Sequence, residues 1–309
     1  MKFGLYLPNF GPLASAEWIP ALAQHAEGLG FDSIWAADNI VYPPQYAERL
    51  GSEFYEAVTT LAYVAALTRH IRIGTAVLVL PYRNPLILAK ALATLDVFSQ
   101  GRLIVGVGVG SMAEEYAALG APFADRGTAA DEYLRIIRTL WTQEHPKFSG
   151  KFFRFSDVLF APRPVQQPSP PIWVGGNSSR ALRRVAELGD GWLPIWHAPT
   201  GRGFTPETLR EKVAEIGELA GRFGRRVRHE VAGIMPLAIP GRQPMMETVQ
   251  PLVGPPERLV EMLRQYKEAG LSHVILSPGY GVPRELLPKN LAEAEQLLRR
   301  FVSDVRPHV

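Results

Sequence analysis

The chain alternates between short apolar, β-branched runs and longer stretches in which apolar residues recur every three or four positions, a period that reads as strand followed by amphipathic helix. Residues 3–7 read as a first strand, and Trp18, Leu22, His25 and Leu29 mark one face of the helix behind it. Residues 33–36 form a second strand after Gly30 stops that helix. Residues 56–68 read as helix, and 71–79 as an almost continuous apolar run, the signature of a strand covered on both faces. A helix over 84–99 ends at Gly101, and 103–107 is the next strand. Further strands are expected at 172–174, 192–195, 231–236 and 274–276, with helices near 178–188, 206–223, 256–269 and 287–301.

Strand–helix units in this alternation imply a parallel sheet, because parallel strands need a crossover that is usually helical. Eight such units close into an α/β (β/α)8 TIM barrel, expected here as a single domain over residues 1–309. An open doubly wound sheet is the alternative. Against it, the first strand runs into Leu7-Pro8-Asn9-Phe10-Gly11, which lacks a G-x-G-x-x-G phosphate fingerprint. Two segments break the spacing. Residues 147–171 carry two short alternating stretches, 152–155 and 158–160, then Pro162, Pro164, Pro168, Pro170 and Pro171, a density that forbids helix. Residues 241–254 are rich in Gln, Met and Pro and read as a mobile loop. Loops after the strands build barrel active sites, so both insertions are expected at the C-terminal face as lids.

Composition narrows the function classes. With 47% hydrophobic and 20% charged residues the chain is of ordinary globular type, not disordered. The absence of cysteine excludes disulfides, thiol nucleophiles, iron–sulfur clusters and thiolate zinc sites. No apolar run is long enough to cross a bilayer, and the first residues carry one lysine and no secretory pattern, so the cytoplasm is the expected compartment. The net charge is +3, and the arginine clusters at 180, 183 and 184 and at 222, 225, 226 and 228 lack interleaved aromatics. They read as solvated helix faces rather than a nucleic-acid surface. No histidine pair or carboxylate cluster has ligand spacing, so no metal is expected.

Two stretches carry candidate chemistry. The strand at 103–107 runs into Gly106, Gly108 and Gly110, and glycine at alternate positions clears one face. That clearance suits a flat ligand or a close strand–strand approach equally. The second stretch leads from Ile172 through Gly175-Gly176-Asn177-Ser178-Ser179 directly into a helix. Free N–H groups at a helix N-terminus beside two glycines and two hydroxyls form an anion site, to which Arg180 and Arg183 add charge. A plain N-cap is the alternative, but caps seldom need a Gly-Gly pair. His197, just past the sixth strand, is alone among the seven histidines in facing the expected active end, as acid/base, substrate contact or surface residue. Trp35, Tyr42, Tyr82, Trp192 and Trp196 are candidates for a cavity wall or for the core. Lys90 lies within a helix and no lysine ends a strand, which argues against a Schiff-base aldolase.

These stretches, read in order from Gly74-Thr75-Ala76-Val77 through Gly106-Val107-Gly108-Val109-Gly110 to Pro171-Ile172-Trp173-Val174-Gly175-Gly176 and Gly189-Asp190-Gly191-Trp192, resemble the luciferase-like monooxygenase superfamily, especially its F420-dependent branch. With the first eleven residues and Gly30–Asn39 included, the resemblance covers residues 1–196. It implies a barrel with an isoalloxazine-like ring at its C-terminal mouth and a non-prolyl cis peptide at Ala76–Val77 behind it. It also implies that Gly108, Gly110 and Ser111 lie beside the ring, that Asp38 and Asn39 face it, and that Gly175, Gly176, Asn177, Ser178 and Ser179 bind the cofactor phosphate. The chain departs from the pattern at two places. Asn39 stands where several members carry a proton-transferring histidine, and an amide orients but cannot act as a base. Ser111 stands where the sugar-phosphate dehydrogenases carry an acid, which argues against glucose-6-phosphate oxidation. The expectation is an F420-dependent, homodimeric oxidoreductase that moves hydride to or from a small organic substrate, with Asn39 and His197 as the catalytic contacts. FMN-dependent monooxygenation and a non-catalytic flavin-binding protein are the alternatives.

Overall fold

The computed structural model describes residues 1–196, 204–226, 229–238, 255–282 and 284–309. Its strands in chain order are β1 (Lys2–Tyr6), β2 (Ser33–Ala36), β3 (Arg72–Thr75), β4 (Leu78–Val79), β5 (Leu103–Gly108), β6 (Phe148–Ser149), β7 (Arg154–Phe155), β8 (Ile172–Gly175), β9 (Gly191–Leu193), β10 (Glu230–Pro236) and β11 (His273–Ser277). All but β6 and β7 pair in parallel in the order β3-β2-β1-β11-β10-β9-β8-β5-β4, and the β3–β5 pairing closes the ring. Because β4 continues β3, the ring has eight staves, the (β/α)8 barrel that the alternation predicts. Register is tight at the seam, with Ile73 opposite Leu103 and Gly74 opposite Ile104.

Outside the ring lie α1 (Trp18–Gly28), α2 (Ala47–Leu50), α3 (Ala57–Leu67), α4 (Pro85–Phe98), α5 (Ala113–Ala118), α6 (Arg126–Thr142), α7 (Ser179–Leu188), α8 (Pro206–Arg222), α9 (Pro256–Glu268) and α10 (Leu291–Asp304). Local chemistry sets their ends. Asn84 accepts from the N–H groups of Leu86 and Ile87 with Pro85 at the first helical position, so α4 starts where the sequence says. The apolar stripes of the helices pack on the outward side chains of the strands, for example Leu5, Ile34, Ile73 and Val105. Inward side chains fill the barrel itself. There Trp35 and Trp173 lie 5.1 Å apart, edge-on to His273.

Three expectations are corrected by the structure, and one helix is added to them. The run at 71–79 is two strands, because the backbone turns at Ala76–Val77. The 17-residue α6 was not read from the sequence. In the insertion, Phe148–Ser149 pairs with Arg154–Phe155, and 158–160 is not a strand. The insertion also forms no lid. It runs over the outside of α6 and α4, where Glu132 takes the N–H groups of Phe152 and Phe153 and Lys90 donates to the Ala161 carbonyl. It ends with Gln166 bound to Asp96 and to the Leu103 carbonyl. Leu103 opens β5, so this end lies at the strands' N-terminal face, as a loop between helix and strand must. The loop expected at 241–254 lies outside the described residues.

Candidate active site

A cavity of about 350 Å³ opens at the C-terminal mouth of the barrel, among them Tyr6, Ala76, Val77, Gly108, Gly175 and Leu193. The alternating glycines face different neighbours. A Cβ on Gly106 would lie 1.8 Å from the Thr75 carbonyl oxygen, so this glycine serves strand–strand approach. A Cβ on Gly108 would lie 2.6 Å from Val77 Cγ2, and one on Gly175 3.0 Å from Val77 Cγ1. Both border the cavity, and here a side chain would meet Val77 at the cavity's edge. The Ala76–Val77 peptide is cis, and the Tyr6 hydroxyl donates to the Ala76 carbonyl at 2.9 Å. Burial pushes the Tyr6 phenol up, which keeps it a donor.

Two buried carboxylates build the wall where β2 ends. Asp38 borders the cavity, yet its side chain is 0% exposed, enclosed by Arg83. Arg83 Nη1 and Nη2 reach its two oxygens at 2.7 Å each, and the Val79 N–H adds a third donor at 3.0 Å. Burial lifts the Asp38 carboxyl against the pull of Arg83. Arg83 itself, gripped by Asp38 and Glu56, is held above its usual range despite burial. The pair is thus a fork–fork clamp, and the carboxylate expected to face the ring is taken up by the wall.

Asn39 is held by the second carboxylate. Glu115 on α5, 1% exposed, accepts from Asn39 Nδ2 (2.7 Å), the Ile40 N–H (2.6 Å), the Val41 N–H (3.2 Å) and the Tyr82 hydroxyl (2.8 Å). With its amide nitrogen donating to Glu115, Asn39 keeps its carbonyl oxygen as the free acceptor at the cavity edge. Burial, and then Glu115, raise the Tyr82 phenol, so it too stays protonated.

At the opposite rim, Gly176 adopts φ +116°, a conformation that favours glycine. Its N–H donates to the Leu193 carbonyl and its own carbonyl accepts from Trp192 Nε1. Asn177 brackets Ile195 with two bonds, Nδ2 to the carbonyl at 2.7 Å and Oδ1 from the N–H at 2.9 Å. Ser178 caps α7 through the Ala181 N–H, while the other first-turn N–H groups at Ser179 and Arg180 have no intrahelical acceptor. The arginines do not add charge to this loop. Arg180 binds Thr128 and Asp131, and Arg183 pairs with Glu187 and lies over the Phe223 ring.

Gly110 and Ser111 border the cavity on the β5 side, and Tyr82 and Trp196 are in its wall. Trp35 is buried inside the barrel and Trp192 in the outer core. Tyr42 is tied to the Gly51 carbonyl. His197 lies outside the described residues. Sequence reasoning missed Glu115 and Arg83, since nothing in Ala113-Glu114-Glu115-Tyr116 distinguishes the buried glutamate from its exposed neighbour. Among the described residues no group of three acidic or histidine side chains is placed to hold a metal, and no helix is long and apolar enough to cross a membrane.

The profile of the family described as luciferase-like monooxygenase matches residues 1–239. An FMNH(2)-dependent dimethylsulfone monooxygenase of Pseudomonas putida is 33% identical over 199 residues, 63% of this chain and 53% of the relative. An F420-dependent glucose-6-phosphate dehydrogenase of Amycolatopsis mediterranei is 27% identical over an alignment that covers 97% of this chain and 95% of the relative. The crystal structure of monooxygenase RslO1 from Streptomyces bottropensis superposes with a TM-score of 0.82 at 23% identity, covering 100% of this chain and 99% of that one, a likeness of fold.

Proposed function

The chain belongs to the luciferase-like monooxygenase family, and from that premise we propose that it is an F420-dependent oxidoreductase acting on a small organic substrate. The observation that carries the reading is the chemistry of the mouth. Three of its described residues that could act as acid or base are already engaged: Asp38 by Arg83, Tyr6 by the Ala76 carbonyl, Tyr82 by Glu115. A site so arranged orients and excludes water, and these three groups, already engaged, are poorly suited to strip a hydroxyl proton, which disfavours sugar oxidation. The alignment with an F420-dependent relative along nearly the whole chain supports the same choice.

The residues present fit a flat ring. Gly108 and Gly175 leave a slot against Val77, where a Cβ would intrude. Asn39 supplies an acceptor whose orientation Glu115 fixes. The Gly176–Ser179 turn offers first-turn N–H groups to a phosphate. When bound, the deazaflavin supplies hydride transfer, and the protein supplies position and a dry surround. Phe10, Leu193 and Tyr280 make the walls apolar, which strengthens each polar contact inside. FMN-dependent monooxygenation is the second reading, favoured by the 33% identity to the dimethylsulfone enzyme. Titration of the purified chain with F420 and with FMN, followed by intrinsic fluorescence, separates them. Tight FMN with no F420 uptake overturns the first reading, and loss of both in Gly176→Val is expected of either.

We also place the homodimer implied by the resemblance on the paired faces of α3 and α4. Their only charged residues are Lys90, which donates to Ala161, and the buried Asp96. Ile87 and Phe98 on α4 are 70% and 75% exposed, and Tyr63 on α3 is 54% exposed. Such an exposed, largely apolar face marks an interface. Ile87→Glu is expected to yield monomers by light scattering; an unchanged mass removes this placement.

A further inference from the structure

The mouth divides into two arcs. The slot elements are neighbours around the ring: Val77 leads into β4, which pairs with β5 and its Gly108, and β5 pairs with β8 and its Gly175. Facing them across the opening are β1, β11 and β10, which bring Phe10, Tyr280 and Ile234 to the same cavity, joined by Phe54 from the segment after β2. Phe10 and Phe54 stack at 4.8 Å with 13° between their planes. Tyr280 leans on Phe10 at 5.4 Å, and the Tyr6 ring meets both edge-on.

This aromatic arc is built in advance of any guest. Asn9, fully buried, donates through Nδ2 to the carbonyls of Ala37 (2.9 Å) and Tyr55 (2.8 Å) and accepts the Ala37 N–H at Oδ1 (2.9 Å). The Tyr55 N–H returns to the Asn9 carbonyl at 2.7 Å, and the Gly11 N–H reaches the Leu50 carbonyl at 2.8 Å. Phe10 and Phe54 oppose each other across an antiparallel bridge between these segments. A wall already ordered takes little entropy from the molecule that binds it. Its chemistry is one-sided as well. Among the described residues bordering the cavity there is no lysine, arginine or histidine, and the acid, Asp38, is spent on Arg83. Within these residues a buried anion finds no counter-charge, whereas a flat ring finds faces and edges to pack on.

We propose that the aromatic arc of Phe10, Phe54 and Tyr280 receives the substrate and selects a neutral molecule that carries an aromatic ring. Its place in a reaction rests on the F420 reading of the mouth, whereas its selectivity is read by binding alone. Acetophenone, cyclohexyl methyl ketone and benzoate are the probes, titrated into the full chain with and without F420 and followed by NMR through the guest's own proton shifts. Acetophenone should bind about fivefold more tightly than cyclohexyl methyl ketone, and benzoate should bind most weakly. Phe54→Leu keeps an apolar wall without a ring. It should weaken acetophenone about fivefold and leave cyclohexyl methyl ketone within about twofold. Benzoate that binds as tightly as acetophenone in the wild type, which needs no variant to observe, overturns the proposal. So does a Phe54→Leu chain in which the two ketones change alike. F420 uptake in the same titrations separates the two readings. Uptake with no preference for the ring removes the substrate assignment alone, and a ring preference with no F420 uptake upholds the pocket and removes the cofactor.

Discussion

Glycine plays opposite parts at the two ends of this barrel. In its lower half, a Cβ on Gly74 would lie 2.4 Å from the Trp35 ring, and one on Gly191 2.5 Å from the Trp173 ring. The space is already taken, by indoles packed against each other and against His273. At the mouth, Gly108 and Gly175 border the cavity, and a Cβ on either would first meet the methyl groups of Val77. The residue type is the same, yet one set of glycines seats a plug and the other borders a slot. The neighbouring stave decides: an inward tryptophan fills the gap, a backbone turn at Ala76–Val77 leaves it free.

If the distinction holds, the largest effect falls on the plug. Gly74→Ala should destabilise the fold by about 3 kcal/mol in denaturant unfolding, because the Trp35 ring has nowhere to move. A loss below about 1 kcal/mol would erase the contrast between the two ends. Gly108→Ala should act the other way round. Its methyl meets Val77 Cγ2, which can turn into the cavity, so stability should change by about 1 kcal/mol or less. Cofactor affinity should fall about tenfold, near 1.4 kcal/mol, in a fluorescence titration. A variant that binds normally shows that the slot is not where the ring lies.

The smallest effect tests the chemistry under the plug. Burial pushes His273 down to about 3 from the ordinary 6.5. Between those values the unfolded chain holds a proton that the native one lacks, so this residue's contribution is complete above 6.5 and drains away as pH falls towards 3. At about pH 6 the loss is under about 1 kcal/mol. In His273→Asn the slope of stability against pH on the acid side should be shallower by up to about one proton. Urea midpoints measured across that range check it, and parallel slopes for the two proteins refute it.

How much of this was legible follows the range of the interactions involved. The barrel is written in local periodicity, and element ends such as Asn84 and Ser178 announce themselves by capping chemistry. The mouth was legible through glycine spacing and the ordered motifs that carry the family resemblance. Glu115 was not, because its burial comes from the approach of Asn39, Ile40 and Tyr82, far away in the chain. The insertion was misplaced for a related reason. Its prolines say that it is irregular, but only the contacts of Gln166 with Asp96 and Leu103 say which end of the barrel it reaches.

Glu115 bears on what a histidine in place of Asn39 would do. Asparagine and histidine codons are one base apart, and a carboxylate already waits within hydrogen-bonding distance of position 39. An imidazole placed there would inherit an anionic partner that raises its pKa and lets it carry a proton near neutrality. Asn39→His should therefore titrate above the ordinary histidine range by NMR in the wild-type background and lose that elevation when combined with Glu115→Gln. The counter-charge for an imidazole at position 39 is thus already in place, one substitution away from use.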